Sequence, residues 1–243
     1  MKKESNLWNT IANKSDYQHK NLRAYMDNQY LSLIKRWTKE LKYDSVLKTD
    51  MYEESYGKTK VTSHFLNTNF SGMDISKNNL KRVRINLPKI PLTTCDVREM
   101  PFKDSSFSLV LSLSTLDHIK EKDFLRALKE IQRILKKDGR LIISLNNKQN
   151  IPFFLIHKFD TKFRLKFPSY FYTKTKLKKI LKSTDFKILD TDYVVFIPPF
   201  FTSFLKILTR IIPSINPKIR FNIKNQFLKR FFSYYIVLYL QKE

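Results

Sequence analysis

The sequence predicts an α/β fold in which helices cover both faces of a doubly wound, Rossmann-like parallel sheet, and three observations lead there. Five short apolar runs alternate with helical patterns through the middle of the chain. Between the fourth and fifth runs stands a strongly amphipathic helix, and a strand, helix and strand in that order need a right-handed crossover and hence parallel pairing. The composition, 42% apolar and 14% aromatic over 243 residues, is globular and sufficient for a large core.

The elements follow in order. Leu31, Leu33, Ile34, Trp37 and Leu41 fall near helical spacing among charged residues, so 1–44 reads as a helical cap on the main domain. The five expected strands are Ser45–Thr49, Phe70–Asp74, Pro91–Cys95, Phe107–Ser112 and Arg140–Leu145. The helix before the fifth places Phe124, Leu125, Leu128, Ile131, Ile134 and Leu135 on one stripe. Glu121 and Asp123 favour its N-terminal end, Lys136 and Lys137 its C-terminal end, and Gly139 is expected as its left-handed stop. A basic helix over Thr173–Ser183 and a strand over Phe186–Val195 follow, and Tyr234–Leu240 reads as the last strand. The organisation expected is a cap over 1–44, a core over 45–195, a basic apolar insertion over 196–232 and a closing strand over 233–243.

Charge narrows the partners. Lys and Arg number 46 against 22 Asp and Glu, a net charge of +24. The second half carries most of it, and from Tyr193 to Lys242 eight basic residues meet no acidic one. Nucleic acid, an anionic membrane surface or a phosphorylated substrate are the partners such a balance favours; a merely solvated basic surface explains it as well. The single cysteine, Cys95, excludes a disulfide framework, and four scattered histidines show no metal-ligand spacing. The polar N-terminus lacks the apolar core of a secretory signal. The most apolar stretch, Tyr193 to Ile212, is interrupted by Pro198, Pro199, Lys206 and Arg210 and is a poor membrane span. A cytoplasmic chain is expected, with peripheral membrane contact through 196–232 as its membrane option.

In an open parallel sheet, ligands bind beyond the carboxyl ends of the strands. Lys48, Thr49, Asp50 and Glu53 follow the first strand, Asp74 and Ile75 the second, Asp96 and Val97 the third, and Ser112 to His118 the fourth. Asp74 stands about 25 positions beyond the first strand, near the ~20 expected of a carboxylate that accepts a ribose diol. Capping the next helix is the plainer role for it.

The runs Cys95-Asp-Val-Arg-Glu-Met-Pro-Phe102, Asp104-Ser-Ser-Phe-Ser-Leu-Val110, Ser114-Thr-Leu-Asp-His-Ile119, Leu128-Lys-Glu-Ile-Gln-Arg-Ile-Leu-Lys136 and Asp138-Gly-Arg-Leu-Ile-Ile143 resemble class I methyltransferases that use S-adenosyl-L-methionine. The nearest group is methyltransferase type 11. The resemblance implies a seven-stranded sheet with the last strand antiparallel. It also implies a ribose held by Asp74, an adenine bordered by Asp96 and Val97, and a methionine moiety over Ser112.

The chain departs from that pattern at the first loop. The family places glycines there, and this sequence has three in all, Gly57, Gly72 and Gly139, with none in Lys48–Glu54. Glycine lets backbone approach a ligand without a Cβ clash. The run Leu47-Lys-Thr-Asp50 with Tyr52-Glu-Glu54 nevertheless resembles a variant subgroup of the family. Two readings follow. In one, side chains replace backbone, with Asp50 or Glu53 on the cofactor ammonium and Lys48 or Thr49 on its carboxylate. In the other, the domain no longer binds cofactor and is a scaffold or a membrane- or partner-binding module.

For catalysis, a hydroxyl acceptor needs a general base, and Asp117 and His118 at the cleft mouth are the candidates. His118 as a backbone-bonded helix-entry residue is the competing reading. His157, among Phe153, Phe154, Leu155 and Phe159, reads as a packing residue. The tail with Phe200, Phe201, Phe204 and Lys206 reads as an interfacial helix, a lid or a packed insertion. It carries no RNA-module signature, so RNA is disfavoured against a small-molecule, sugar or lipid-linked acceptor.

Overall fold

A computed structural model describes residues 2–12, 20–159, 168–196 and 225–243. Most of the expected 196–232 insertion lies outside the described residues, as does the side chain of His157. The elements are α1 (Lys2–Ala12), α2 (Lys20–Thr38), β1 (Ser45–Lys48), α3 (Lys60–Phe65), β2 (Asn69–Asp74), α4 (Lys77–Asn86), β3 (Leu92–Thr94), β4 (Phe107–Leu113), α5 (Glu121–Ile134), β5 (Leu135–Asn147), α6 (Ile151–Phe159), β6 (Phe171–Tyr172), α7 (Lys174–Leu181), β7 (Phe186–Phe196), α8 (Gln226–Phe232) and β8 (Ser233–Lys242). Two 3₁₀ turns, Glu53–Tyr56 and Leu116–His118, sit just past β1 and β4.

The strands form one sheet in the order β3-β2-β1-β4-β5-β8-β7, with the two-residue β6 paired to the end of β5. Pairs from β3 through β5 are parallel, and β8 runs antiparallel between β5 and β7. The doubly wound expectation and the antiparallel last strand both hold. The order reverses between β1 and β4, so the switch point lies at their carboxyl ends.

Each sheet face buries its own core. One packs Val110, Ile143 and Leu238 against Phe124, Leu128 and Ile131 of α5. The other packs Val46, Leu109 and Ile142 against Tyr30, Leu33 and Ile34 of α2 and Leu80 and Val83 of α4. On α2 the buried set is Tyr25, Met26, Tyr30, Leu33, Ile34 and Thr38, so the stripe starts earlier than Leu31 and includes two tyrosines. Trp37 is only partly buried; its ring stacks on Tyr239 at 5.3 Å and its indole N–H donates to Asp190.

Two glycines differ from their expected roles. Gly139 is not the left-handed residue after α5. That conformation falls on Asp138 (φ 60°), because the chain passes from Ile134 straight into β5 and turns four residues later. Gly139 is needed for room instead, since a Cβ there would lie 2.8 Å from the Lys136 carbonyl oxygen. Gly72, inside β2, makes room for the glycine-free loop after β1. Met51 of that loop is fully buried over it, and a Cβ on Gly72 would meet Met51 Sδ at 2.6 Å.

Gly72→Ala is therefore expected to destabilise the chain by about 1–3 kcal/mol through overpacking. In urea melts, Met51→Ala combined with Gly72→Ala should cost clearly less than the two single changes added together. Strict additivity would show that Met51 does not occupy this space.

Candidate functional site

The loop at the switch point is built on a buried ion pair. Lys48 Nζ donates to Glu54 Oε2 at 2.9 Å, and both side chains are almost wholly buried. Thr59 Oγ1 and Thr62 Oγ1 donate to the other oxygen of Glu54 at 2.9 and 2.6 Å. Lys48 Nζ also donates to the carbonyl of Asp50. Burial alone would lower the Lys48 pKa, but Glu54 and Asp50 outweigh it and raise it above its ordinary value. The ammonium of Lys48 is thus held inside the loop, away from a ligand. Thr49 continues the β1–β4 pairing through its N–H to Leu111 (3.0 Å), and its hydroxyl meets that of Thr115 at 3.1 Å. Glu53 pairs with Arg23 of α2 at 3.2 Å, and that guanidinium lies over the ring of Tyr56.

At the end of β2, Asp74 organises its surroundings. One oxygen accepts the Ser76 N–H at 2.7 Å; the other accepts the Met51 N–H at 3.2 Å and Asn79 Nδ2 at 3.1 Å. Ser76, not Asp74, caps α4, through its hydroxyl to Asn79 N. At the end of β3, Asp96 is chelated by Arg98, whose Nε lies 2.9 Å from Oδ1 and Nη2 2.5 Å from Oδ2. Arg98 also bonds Asp123 and Glu4. Burial pulls the Asp96 pKa up, and the Arg98 bonds outweigh it, so it lies below the ordinary carboxylate range. Val97 is buried in the core and Ile75 is half-buried.

Helix α1 roofs this side. Ser5 Oγ donates to the Ile75 carbonyl, and Asn9 Oδ1 accepts from Ser76 Oγ at 2.9 Å. Glu4 meets Arg98, and the Trp8 ring lies edge-on to His118 at 5.0 Å. Helix α1 thus contacts the segments that follow β2, β3 and β4.

The other side of the cleft follows β4. Ser114 stands in the left-handed region (φ 54°), strain that turns the chain sharply at the sheet's edge. Its N–H donates to Ser144 Oγ at 2.9 Å, and Tyr30 Oη reaches the same hydroxyl at 3.0 Å. His118 Nδ1 lies 2.7 Å from the Pro168 carbonyl oxygen. A carbonyl only accepts, so Nδ1 carries a proton. Asp117 is 1% exposed, and its Oδ1 has no hydrogen-bond partner among the described residues; nor do the buried Ser112 Oγ and Tyr172 Oη.

These groups share one electrostatic environment. Burial first, then the neighbouring Asp50 charge, pushes Asp74 up to about 7. Burial raises Glu53 to about 7 against the pull of Arg23, and raises Asp117 to about 6 against the pull of His118. Asp50 is also raised, by burial before any other cause. Lys48 answers Glu54 and Arg23 answers Glu53. Among the described residues, no ion pair reaches Asp50, Asp74 or Asp117.

The fold therefore gathers Lys48, Thr49, Asp50, Glu53, Asp74, Ser112, Asp117 and His118 around the switch point, with Ile75, Asp96 and Val97 beside it under α1. Tyr30 and Ser144, hydrogen-bonded to each other and to Ser114, are neighbours that strand-end reasoning does not reach. Tyr30 carries a signal in its place on the apolar stripe of α2, where a phenol counts as core. No group of three or more His, Cys, Asp or Glu placed to hold a metal occurs among the described residues.

Residues 55–143 match a family described as a methyltransferase domain. An uncharacterized protein of Methanocaldococcus jannaschii is 33% identical over 129 residues, 53% of this chain and 51% of that protein. A demethylmenaquinone methyltransferase of Staphylococcus epidermidis is 33% identical over 87 residues, 35% of each. The chain thus spans about half the length of the first curated relative and about a third of the second. Among solved structures, the N-methyltransferase NodS of Bradyrhizobium japonicum in complex with S-adenosyl-L-homocysteine is similar, with a TM-score of 0.60 and 9% identity. That likeness covers 98% of this chain and 96% of NodS. The methyltransferase-domain match covers residues 55–143, and the fold is shared with NodS, a protein solved with S-adenosyl-L-homocysteine bound.

The residues present offer partners for S-adenosyl-L-methionine, the methyl donor such domains use. It carries a sulfonium, an ammonium and a carboxylate, and the crest holds Asp50, Asp74 and Asp117, carboxyls raised by burial that no ion pair among the described residues reaches. Ser112 Oγ and Asp117 Oδ1 are buried polar atoms with no partner among the described residues, as a ligand-lined wall requires.

The raised carboxylates make stability depend on pH. Between about pH 4 and 7 the folded chain keeps protons that the unfolded chain releases, so this contribution falls as pH rises through that window. Asp117→Asn removes one such group. In urea unfolding without ligand, the variant should lose less stability than the parent between pH 5 and 8 and be up to about 3 kcal/mol more stable at pH 8. Parallel pH curves would show that Asp117 is not desolvated.

Proposed function

We propose that this chain is a class I methyltransferase that transfers a methyl group from S-adenosyl-L-methionine to a small-molecule, sugar or lipid-linked acceptor. The observation that carries the reading is the cluster of Asp50, Asp74 and Asp117, carboxyls raised by burial at the switch point of a chain of net charge +24. Asp74 would hold the ribose, since a carboxylate has about four acceptor positions and three are taken. Ser112 and Asp50 would border the methionine part, and Lys48 acts through the loop it braces. When bound, the group supplies an electrophilic methyl on its sulfonium.

This chain's own residues do the rest. Helix α1 and the Asp96–Arg98 pair exclude water from the adenosine side. Asp117 and His118 Nε2 are the proton-holding sites at the mouth. Orientation of the acceptor supplies much of the acceleration in a displacement of this kind. Support for a lipid-linked acceptor comes from the exposed apolar side chains of α6 and α8, Ile151, Leu155, Phe227 and Leu228. No described helix is long and apolar enough to cross a membrane.

The scaffold reading has one specific observation in its favour: Asp96 is saturated by Arg98 and roofed by α1. Titration calorimetry separates the two. S-adenosyl-L-homocysteine should bind the wild type with micromolar affinity, and Asp74→Asn should weaken it at least tenfold. Absence of heat at millimolar ligand would favour the scaffold.

A further inference from the structure

The stretch between Asp74 and Asp96 carries Lys77, Lys81, Arg82, Arg84 and Lys89 and has neither an acidic nor an aromatic residue. In the fold it becomes α4 and the short edge strand β3. Leu80, Val83 and Leu87 turn into the core. Lys77, Lys81, Arg84 and Ile85 fall at helical spacing on the outer face, and all four are exposed. Between this face and Leu92 and Thr94 of β3 lies a groove of about 440 Å³. Among the described residues, no ion pair holds any of the five cations.

Ile85 narrows the partner. It is 81% exposed, more than any other large apolar side chain among the described residues. Helix α7 is as rich in lysine, with Lys174, Lys176, Lys178 and Lys179, yet it exposes no large apolar side chain, so a basic face in this chain does not by itself come with one. Lysines beside a short edge strand deter pairing with another chain, a task that has no use for an exposed isoleucine. A nucleic acid would draw on the cations, but single-stranded bases ask for aromatic stacking partners, and the groove has none. An anionic bilayer uses both features: cations meet headgroup phosphates, and an apolar tip enters the boundary with the acyl chains.

We infer that α4 and β3 form a docking face for a membrane surface rich in anionic phospholipid, with Lys77, Lys81 and Arg84 on the headgroups and Ile85 inserted among them. The face lies at the opposite edge of the sheet from β7, where the 196–232 stretch begins, so it is a contact of its own. It stands independently of the methyl-transfer reading, since none of its residues is among those gathered at the switch point.

Vesicle flotation with the full-length chain tests it. Vesicles of phosphatidylcholine alone are compared with vesicles holding about 30% phosphatidylserine, at about 0.1 M salt, where exposed charges still act over ~10 Å. The chain should bind the anionic vesicles at least tenfold more tightly. Lys81→Glu combined with Arg84→Glu should cut that binding at least tenfold. Ile85→Ser, which leaves the charge unchanged, should cut it severalfold. Lys178→Glu combined with Lys179→Glu on α7 removes the same net charge and should change it less than twofold. All five positions are exposed, so each variant should melt as the parent does. Equal binding to both kinds of vesicle, or none to either, would overturn the inference. So would equal losses from the two charge-reversed pairs with no effect of Ile85→Ser, the mark of attraction by net charge alone. A mixed-sequence RNA that binds more tightly than the anionic vesicles and is indifferent to Ile85→Ser would assign the face to nucleic acid instead.

Discussion

The buried Lys48–Glu54 pair is the interaction on which the site rests. A loop at the switch point of a doubly wound sheet must bring backbone close to a ligand, and glycine does so by lacking a side chain. This chain has bulky residues there and fixes them by other means. Glu54 gathers Lys48, Thr59 and Thr62, which ties β1 to the start of α3, and Met51 settles into the space left by Gly72. The need for glycine has moved from the loop to the strand beside it. Removing either member of the pair would strand the other as a buried unpaired charge, a loss of about 3–5 kcal/mol. The loop therefore stands or falls as a unit.

With the loop held internally, the cleft is lined by acidic side chains in a strongly basic molecule. A chain of net charge +24 draws anions to its surface, yet Asp50, Asp74 and Asp117 gather at the crest, where burial raises their carboxyls. The protein's two electrostatic faces then have separate tasks. The outer one bears on solubility and on contact with anionic surfaces. The inner one bears on what is bound and how its proton is handled.

Much of the fold was legible in the residues. Alternating apolar runs located β1 to β4 within a few positions and the body of β5, which begins five residues earlier than expected, while the two-residue β6 was not located; the α5 stripe fixed the handed crossover to β5. The strand-end rule also collected Asp74, Asp117 and His118 at one edge. What stayed hidden depended on distant partners. That Lys48 is engaged by Glu54, or Asp96 by Arg98, is decided by side-chain direction, which spacing does not encode. Gly139 looked like a helix stop because glycine so often is one; here Asp138 takes the left-handed turn and Gly139 answers a close backbone approach. Tyr30 and Tyr172 are buried in the cores on opposite faces of the sheet, where spacing does not tell a phenol from a packing ring.

The central claim is that the crest of β1, β2 and β4 still receives an adenosyl group although its loop has exchanged glycines for Asp50, Met51 and Tyr52. A crystal structure of the chain grown with S-adenosyl-L-homocysteine tests it most directly. The predicted result is the nucleoside under α1 with its ribose on Asp74 and its amino acid end beside Asp50 and Ser112. Clear density for an empty crest, with Tyr52 or Glu53 filling that volume and α1 unmoved, would contradict it.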